Sequence, residues 1–316
     1  MFLLIVGEEY LGENKGDSNI ITREYFDSLL VETRYINSDL PSTKMQLFGK
    51  TFDTPIMTAA LSHLGGKGKK SADFIEEKAE SGMIVYAEAA AKSNTLHWVG
   101  MGDDQELEDI VATGAKTVKV IKPHADNAEV YRKMEHAVKT GCVAVGMDID
   151  HAFSGNGGYD CIFGQEMRPK SMAEIADFVQ AAGVPFIVKG VLSVRDAEKC
   201  AKAGCAGIVV SHHHNMMEYS VPPLLVLEDI IKAVGKDMNV FVDCGVVSGM
   251  DAYKCLALGA KAVSVGRHLM PLLRKGSDVV SARINEMTTE LSVVMARTGV
   301  RDLSQMDPTV VHKRSF

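Results

Sequence analysis

Three short runs of β-branched and apolar residues in this chain end on polar groups, where a buried strand would present a side chain to a ligand. Lys189 closes Phe186-Ile187-Val188, and Asp243 closes Val240-Phe241-Val242. Ser211, with His212, His213 and His214, follows Gly207-Ile208-Val209-Val210. An ammonium at an apolar strand end is costly to bury unless it meets a negative group or a polar ligand. An ion pair with Asp148 or Asp243 would satisfy Lys189, and so would a polar ligand. Histidine is the side chain best suited to moving a proton near neutral pH. Three in a row invite a metal, with Glu218 or Glu88 as a carboxylate partner. Successive strand side chains point to opposite faces, so at most two of the three could converge. The expectation is one proton-transferring histidine and no metal.

A second chemical signal lies in residues 240–267, which read as strand, glycine loop, helix, strand and glycine. Gly245 and Gly266 each release the chain from a strand end, leaving backbone N–H groups free for a phosphate, and Arg267 follows at once. Cys244 sits in the first of these loops. No C-x-x-C pair occurs among the six cysteines, which argues against a zinc or iron–sulfur site, and disulfides are not expected in a chain of this size without a secretion signal. A formal net charge of -7 argues against a nucleic-acid surface. No stretch reaches the roughly 20 apolar residues that span a bilayer. Phe2–Val6 is too short for a signal-peptide core, so the expected location is the cytoplasm.

Elements must bring these groups together. Apolar β-like runs at 55–59, 83–87, 117–121, 143–148, 185–189, 207–211, 240–243 and 262–266 alternate with helical spacing at 70–81, 127–140, 172–182, 194–203, 224–234 and 250–258. Glycines 82, 141, 183, 204, 235 and 259 stand where helices should end. Eight such repeats predict an α/β fold, a single (β/α)₈ barrel over 1–316. An open, doubly wound sheet is the alternative. Residues 1–53 lack the rhythm and are expected to pack on one end. In a barrel, chemistry gathers at the C-terminal strand ends: Glu88, Lys119, Asp148 with Asp150, Lys189, the histidines, Asp243 and Arg267. The Gly-rich stretch at 154–158, after the fourth strand, reads as a lid or as a plain surface loop.

These residues, in this order, resemble the FMN-dependent α-hydroxy-acid oxidases and dehydrogenases, the group of glycolate oxidase, lactate oxidase and flavocytochrome b₂. The similarity runs from about Ser42 to the C-terminus. It is carried by Pro55-Ile56-Met57, Val188-Lys189-Gly190, Gly207-Ile208-Val209-Val210-Ser211, residues 240–267 and the tail ELSVVMARTGVRDL at 290–303. The resemblance implies an FMN-binding barrel. It implies Lys189 beside the flavin ring, His213 as catalytic base, Asp243, Gly245, Gly266 and Arg267 at the phosphate side, and Ala60, Leu61 and Ser62 along the ring. Glu88 and Lys119 fall where flavin-contacting polar residues are usual, and Ser211 opens the histidine motif.

Departures gather around the substrate. Met216 stands where the family has a carboxylate-binding arginine, Ile121 where it has a tyrosine, and His212 where it has an asparagine; Gly146 and Val247 also differ from the family residues. A simple 2-hydroxy acid would lose a charged clamp, so a larger or more apolar substrate is expected. Arg168 or Lys170 could supply another cation, or be solvated loop charges. The expected function is hydride transfer between a small molecule and FMN with a histidine acid/base, an unidentified electron acceptor or donor, and a homo-oligomer, tetrameric or larger. Two alternatives stay open: non-redox flavin chemistry, as in type 2 isopentenyl-diphosphate isomerase, and a flavin-binding protein without catalysis.

Overall fold

The computed structural model describes residues 15–64 and 81–315. Eight strands pair side by side in one parallel sheet: β1 (Ile56–Thr58), β2 (Leu96–Val99), β3 (Lys116–Ile121), β4 (Ala144–Asp148), β5 (Phe186–Val191), β6 (Gly207–Val210), β7 (Asn239–Val242) and β8 (Ala262–Val265). Neighbours in space are neighbours in sequence, and β8 pairs back onto β1. A parallel bridge between Leu61 and Val99, with Gly100 N donating to Leu61 O at 2.8 Å, joins β1 to β2 and closes the ring. Helices fill the crossovers: α2 (Gly82–Lys92), α3 (Asp104–Ala112), α4 (Asn127–Thr140), α5 (Met172–Ala182), α6 (Val194–Lys202), α7 (Pro223–Val234) and α8 (Gly249–Ala257), with α9 (Ser277–Arg297) after β8. This is the expected (β/α)₈ barrel.

One repeat differs from the sequence reading. Residues 83–87 belong to α2, and the second strand is Leu96–Val99. The helix GMIVYAEAAAK is buried on most sides, so it lacks the polar stripe that marks a surface helix, and a short apolar run alone does not separate the two states. Ser81 caps it by accepting from Met83 N. Gly82 therefore opens a helix rather than ending one, and a Cβ there would lie 2.1 Å from Leu64 O. Apart from Ser81, the helix expected at 70–81 lies outside the described residues.

Inside the barrel, Met57, Leu96, Trp98, Val118, Val120, Ala144, Ile187, Val209, Phe241 and Ala262 form one core. The hairpin of Met45–Leu47 and Lys50–Phe52 joins it at the strand starts, Met45 and Phe52 being fully buried there. A second core fills the space between barrel and helices. The N-terminal extension was expected against one end, but it serves both. While the hairpin plugs the bottom, α1 (Ser18–Asp27) lies against the loops that follow β6, β7 and β8.

Candidate active site

At the C-terminal strand ends, Asp148 is the hub of a buried ionic network. Lys122 Nζ lies 2.7 Å from its Oδ2, and Lys189 Nζ lies 3.1 Å from its Oδ1. Lys189 also stands 3.7 Å from Asp243. Burial alone would raise the Asp148 carboxyl, but Lys189, Lys122 and His213 hold it well below the usual carboxylate range. Burial would likewise discharge Lys189, yet Asp148 and Asp243 keep its ammonium charged. Strand alternation explains the convergence: Ile187 and Lys189 point inward from β5, as Val118, Val120 and then Lys122 do from β3.

His213 leans on this network. Its Nδ1 is 2.9 Å from Asp150 Oδ1 and 3.3 Å from Asp148 Oδ1, with Lys189 Nζ at 3.1 Å. Burial would lower its pKa, but the two carboxylates outweigh both burial and Lys189 and lift it to about 9. Its Nε2 faces His151 Nε2 at 3.0 Å, and His151 Nδ1 lies 3.4 Å from Asp160. Burial lowers His151, which leaves that ring the neutral partner. Asp148, Asp150, His151 and His213 offer ligand atoms within 4.8 Å of one another. The two ammonium groups already on Asp148 oppose a further cation at that carboxylate.

The network forms one end of a cleft of about 730 Å³. The other end is built from the loops after β7 and β8, where Gly245, Gly266 and Arg267 line the wall. Gly245 has φ +80, and a Cβ there would meet Thr22 Cγ2 of α1 at 2.8 Å. Helix α1 is stitched to these loops. Arg23 donates to Gly245 O at 3.0 Å and grips Asp251 with two bonds of 2.9 Å, while Asn19 Oδ1 accepts from Arg267 at 2.5 Å. Cys244 also lines the cleft; burial pushes its thiol up to about 12, so it is no thiolate nucleophile.

Of the residues singled out in the sequence, Ala60, Leu61, Ser62, Lys189, His213, Asp243, Gly245, Gly266 and Arg267 line this cleft together. Others stand elsewhere. Glu88 was read as a strand end, but it lies on α2 and accepts from Ser277. Lys119 and Ile121 point out of the barrel, so the inward positions of β3 are Val120 and Lys122, one residue along from those the family resemblance implies. Ser211 is buried behind the cleft and accepts from His213 N at 3.1 Å. His212 is buried against Thr22 at 2.9 Å. Met216 is exposed beyond a left-handed turn at His213, His214 and Asn215 and does not line the cleft. Arg168 pairs with Glu166, and Lys170 donates to His124 O and Asn127, so neither reaches the cleft. Sequence reasoning missed Asn19, Arg23, Lys122 and His151. Strict alternation from Val118 would have found Lys122.

A closed parallel barrel with a cleft at its C-terminal strand ends, walled by two glycine loops and a lysine–histidine–aspartate network, has the form of a barrel enzyme. The FMN-dependent dehydrogenase family matches residues 9–172 and 160–313. The chain belongs to that family. It is 30% identical to a peroxisomal (S)-2-hydroxyacid oxidase of Arabidopsis thaliana over 69% of each protein. An FMN-dependent alpha-hydroxy acid dehydrogenase of Schizosaccharomyces pombe is 25% identical, over 88% of this chain and 79% of its own. The fold is also that of mandelate oxidase, with a TM-score of 0.83 at 23% identity, covering 97% of this chain and 95% of the other. The protein is an FMN oxidoreductase, and the cleft fits that cofactor. Gly245 lets the loop after β7 pack closely on α1, Arg267 places a cation on the wall beside that loop, and Lys189 supplies a fixed positive charge at the opposite end.

Proposed function

We propose that this protein oxidises the carbinol of a 2-hydroxy acid larger than glycolate or lactate, with His213 as the group that takes the hydroxyl proton. FMN, when bound along Ala60, Leu61 and Ser62, supplies the two-electron acceptor. The observation that carries the reading is His213 itself, fixed at Nδ1 by Asp148 and Asp150 and opening at Nε2 toward the cleft and His151. Geometry of this kind orients an imidazole for proton transfer, with the carboxylates stabilising the imidazolium that results. Lys122 stands at the wall where an anionic substrate would need a cation, and so can take the part that Met216 cannot. Lys189 holds an ammonium at the cleft floor, paired with Asp148. We further propose a single domain acting in the cytoplasm as a homo-oligomer, with an electron acceptor still to be identified.

Anaerobic mixing of the FMN-loaded protein with glycolate, L-lactate and longer 2-hydroxy acids tests this directly. Longer acids should bleach the flavin, and millimolar glycolate and lactate should leave it oxidised. His213→Ala should slow bleaching by the true substrate by about 100-fold or more. Rapid bleaching by L-lactate overturns the substrate reading, and a His213→Ala enzyme at full rate removes His213 as the proton acceptor.

A further inference from the structure

Beside the cofactor cleft lies a second cavity, of about 340 Å³, and Met101 and Lys122 line both. It is roofed by the short hairpin of Cys161–Ile162 and Gln165–Glu166, which places Ile162 and Phe163 on its wall. Lys119 stands in it, 5% exposed. Its Nζ donates to Gly100 O at 2.5 Å, and among the described residues no carboxylate lies within 4.0 Å of it. An ammonium has three donors, and one carbonyl leaves two of them unanswered. Glu106 and Asp104 of α3 act on it only from farther away, while Lys133 of α4, another wall residue, repels it. His124, also 5% exposed, lines the same space with an Nδ1 that has no hydrogen-bond partner among the described residues. Ordinary cores do not leave a lysine and a histidine in this state, because each unsatisfied buried group costs free energy.

We propose that this cavity is an anion subsite that receives the second, distal carboxylate of the substrate. Lys119 supplies the charge and His124 a donor through Nδ1–H, while Met101, Ile121, Ile162 and Phe163 pack the intervening carbon chain. Lys122, on the wall shared by the two cavities, is left to the carboxylate beside the reacting carbinol. The substrate class is then a 2-hydroxy dicarboxylic acid. This assignment rests on the hydroxy-acid reading above, but the subsite itself can be read without turnover.

Titration calorimetry of the FMN-loaded protein with adipate and with hexanoate does so. Adipate should bind about tenfold more tightly or better, as a charge-assisted contact in a buried site would give. Lys119→Met should abolish that preference, and Lys119→Arg, which restores the charge, should recover part of it; the FMN content of each variant reports that it has folded. Equal affinities for the two acids in the wild type, or a preference that survives Lys119→Met, overturns the subsite. In parallel, 2-hydroxyadipate should bleach the flavin with a kcat/KM about tenfold or more above that of 2-hydroxyhexanoate, the difference lying in KM. If adipate binds as expected and neither hydroxy acid is oxidised, the subsite stands and the hydroxy-acid activity falls. If 2-hydroxyhexanoate is oxidised and adipate shows no preference, the activity stands and the subsite falls.

Discussion

His213 carries the most consequential charge in the cleft. With its pKa near 9, the free protein holds it as imidazolium at neutral pH, and an imidazolium cannot accept a proton. For oxidation, kcat/KM should therefore climb with pH and level off near 9. Asp148→Asn removes the larger source of that lift and should move the profile toward lower pH; a profile unmoved by this change would show that Asp148 does not set the histidine. The same shift is linked to folding. A histidine whose pKa is raised in the folded state contributes stability that is full below its unfolded value of about 6.5 and is lost as pH rises through about 9. The contribution is on the order of 3 kcal/mol at most, and His213→Gln should flatten the fall in Tm between those limits. At this scale Lys189, His213 and Asp243 were legible in the sequence because each follows a β-branched run. Lys119 was placed in the cleft and Lys122 missed because the family resemblance takes no account of which face of β3 each side chain takes.

At the level of elements, the reading succeeded for the amphipathic α4 and α5 and failed for α2, which is not amphipathic, and α3 was passed over with it. Helices α4 and α5 match the expected spans residue for residue, since each shows one apolar face and ends at a left-handed glycine. Helix α2 is covered by the barrel and α9, so its apolar run imitated a strand and took Glu88 into the site by mistake. The part played by α1 had no signal at all in a segment without periodicity. Its packing makes a definite demand on the β7 loop. Gly245→Val adds a side chain at φ +80 that runs into Thr22 and Phe26. The variant should lose FMN affinity by about tenfold or more, because loop and helix must part by the width of a methyl group. Fluorescence titration of the apoprotein with FMN measures this. Unchanged affinity would mean that the loop's position does not govern cofactor binding.

Seen as one molecule, the barrel has a rigid end and a serviced end. The hairpin of Met45–Leu47 and Lys50–Phe52 is locked into the interior at the strand starts, and the strand alternation that fills the interior also aims the ionic network upward. The opposite end is held by one helix that touches three successive loops: Thr22 meets His212, Arg23 meets Gly245 and Asp251, and Asn19 meets Arg267. That stitching gives the N-terminal helix the role of a latch. A ligand that orders the loops after β7 and β8 must also tighten α1, and losing the ligand must loosen it. Cleavage near Arg23 by trypsin should therefore act as a gauge of cofactor occupancy, slow in the yellow protein and fast in the colourless one, and a chain clipped there should refill with FMN poorly.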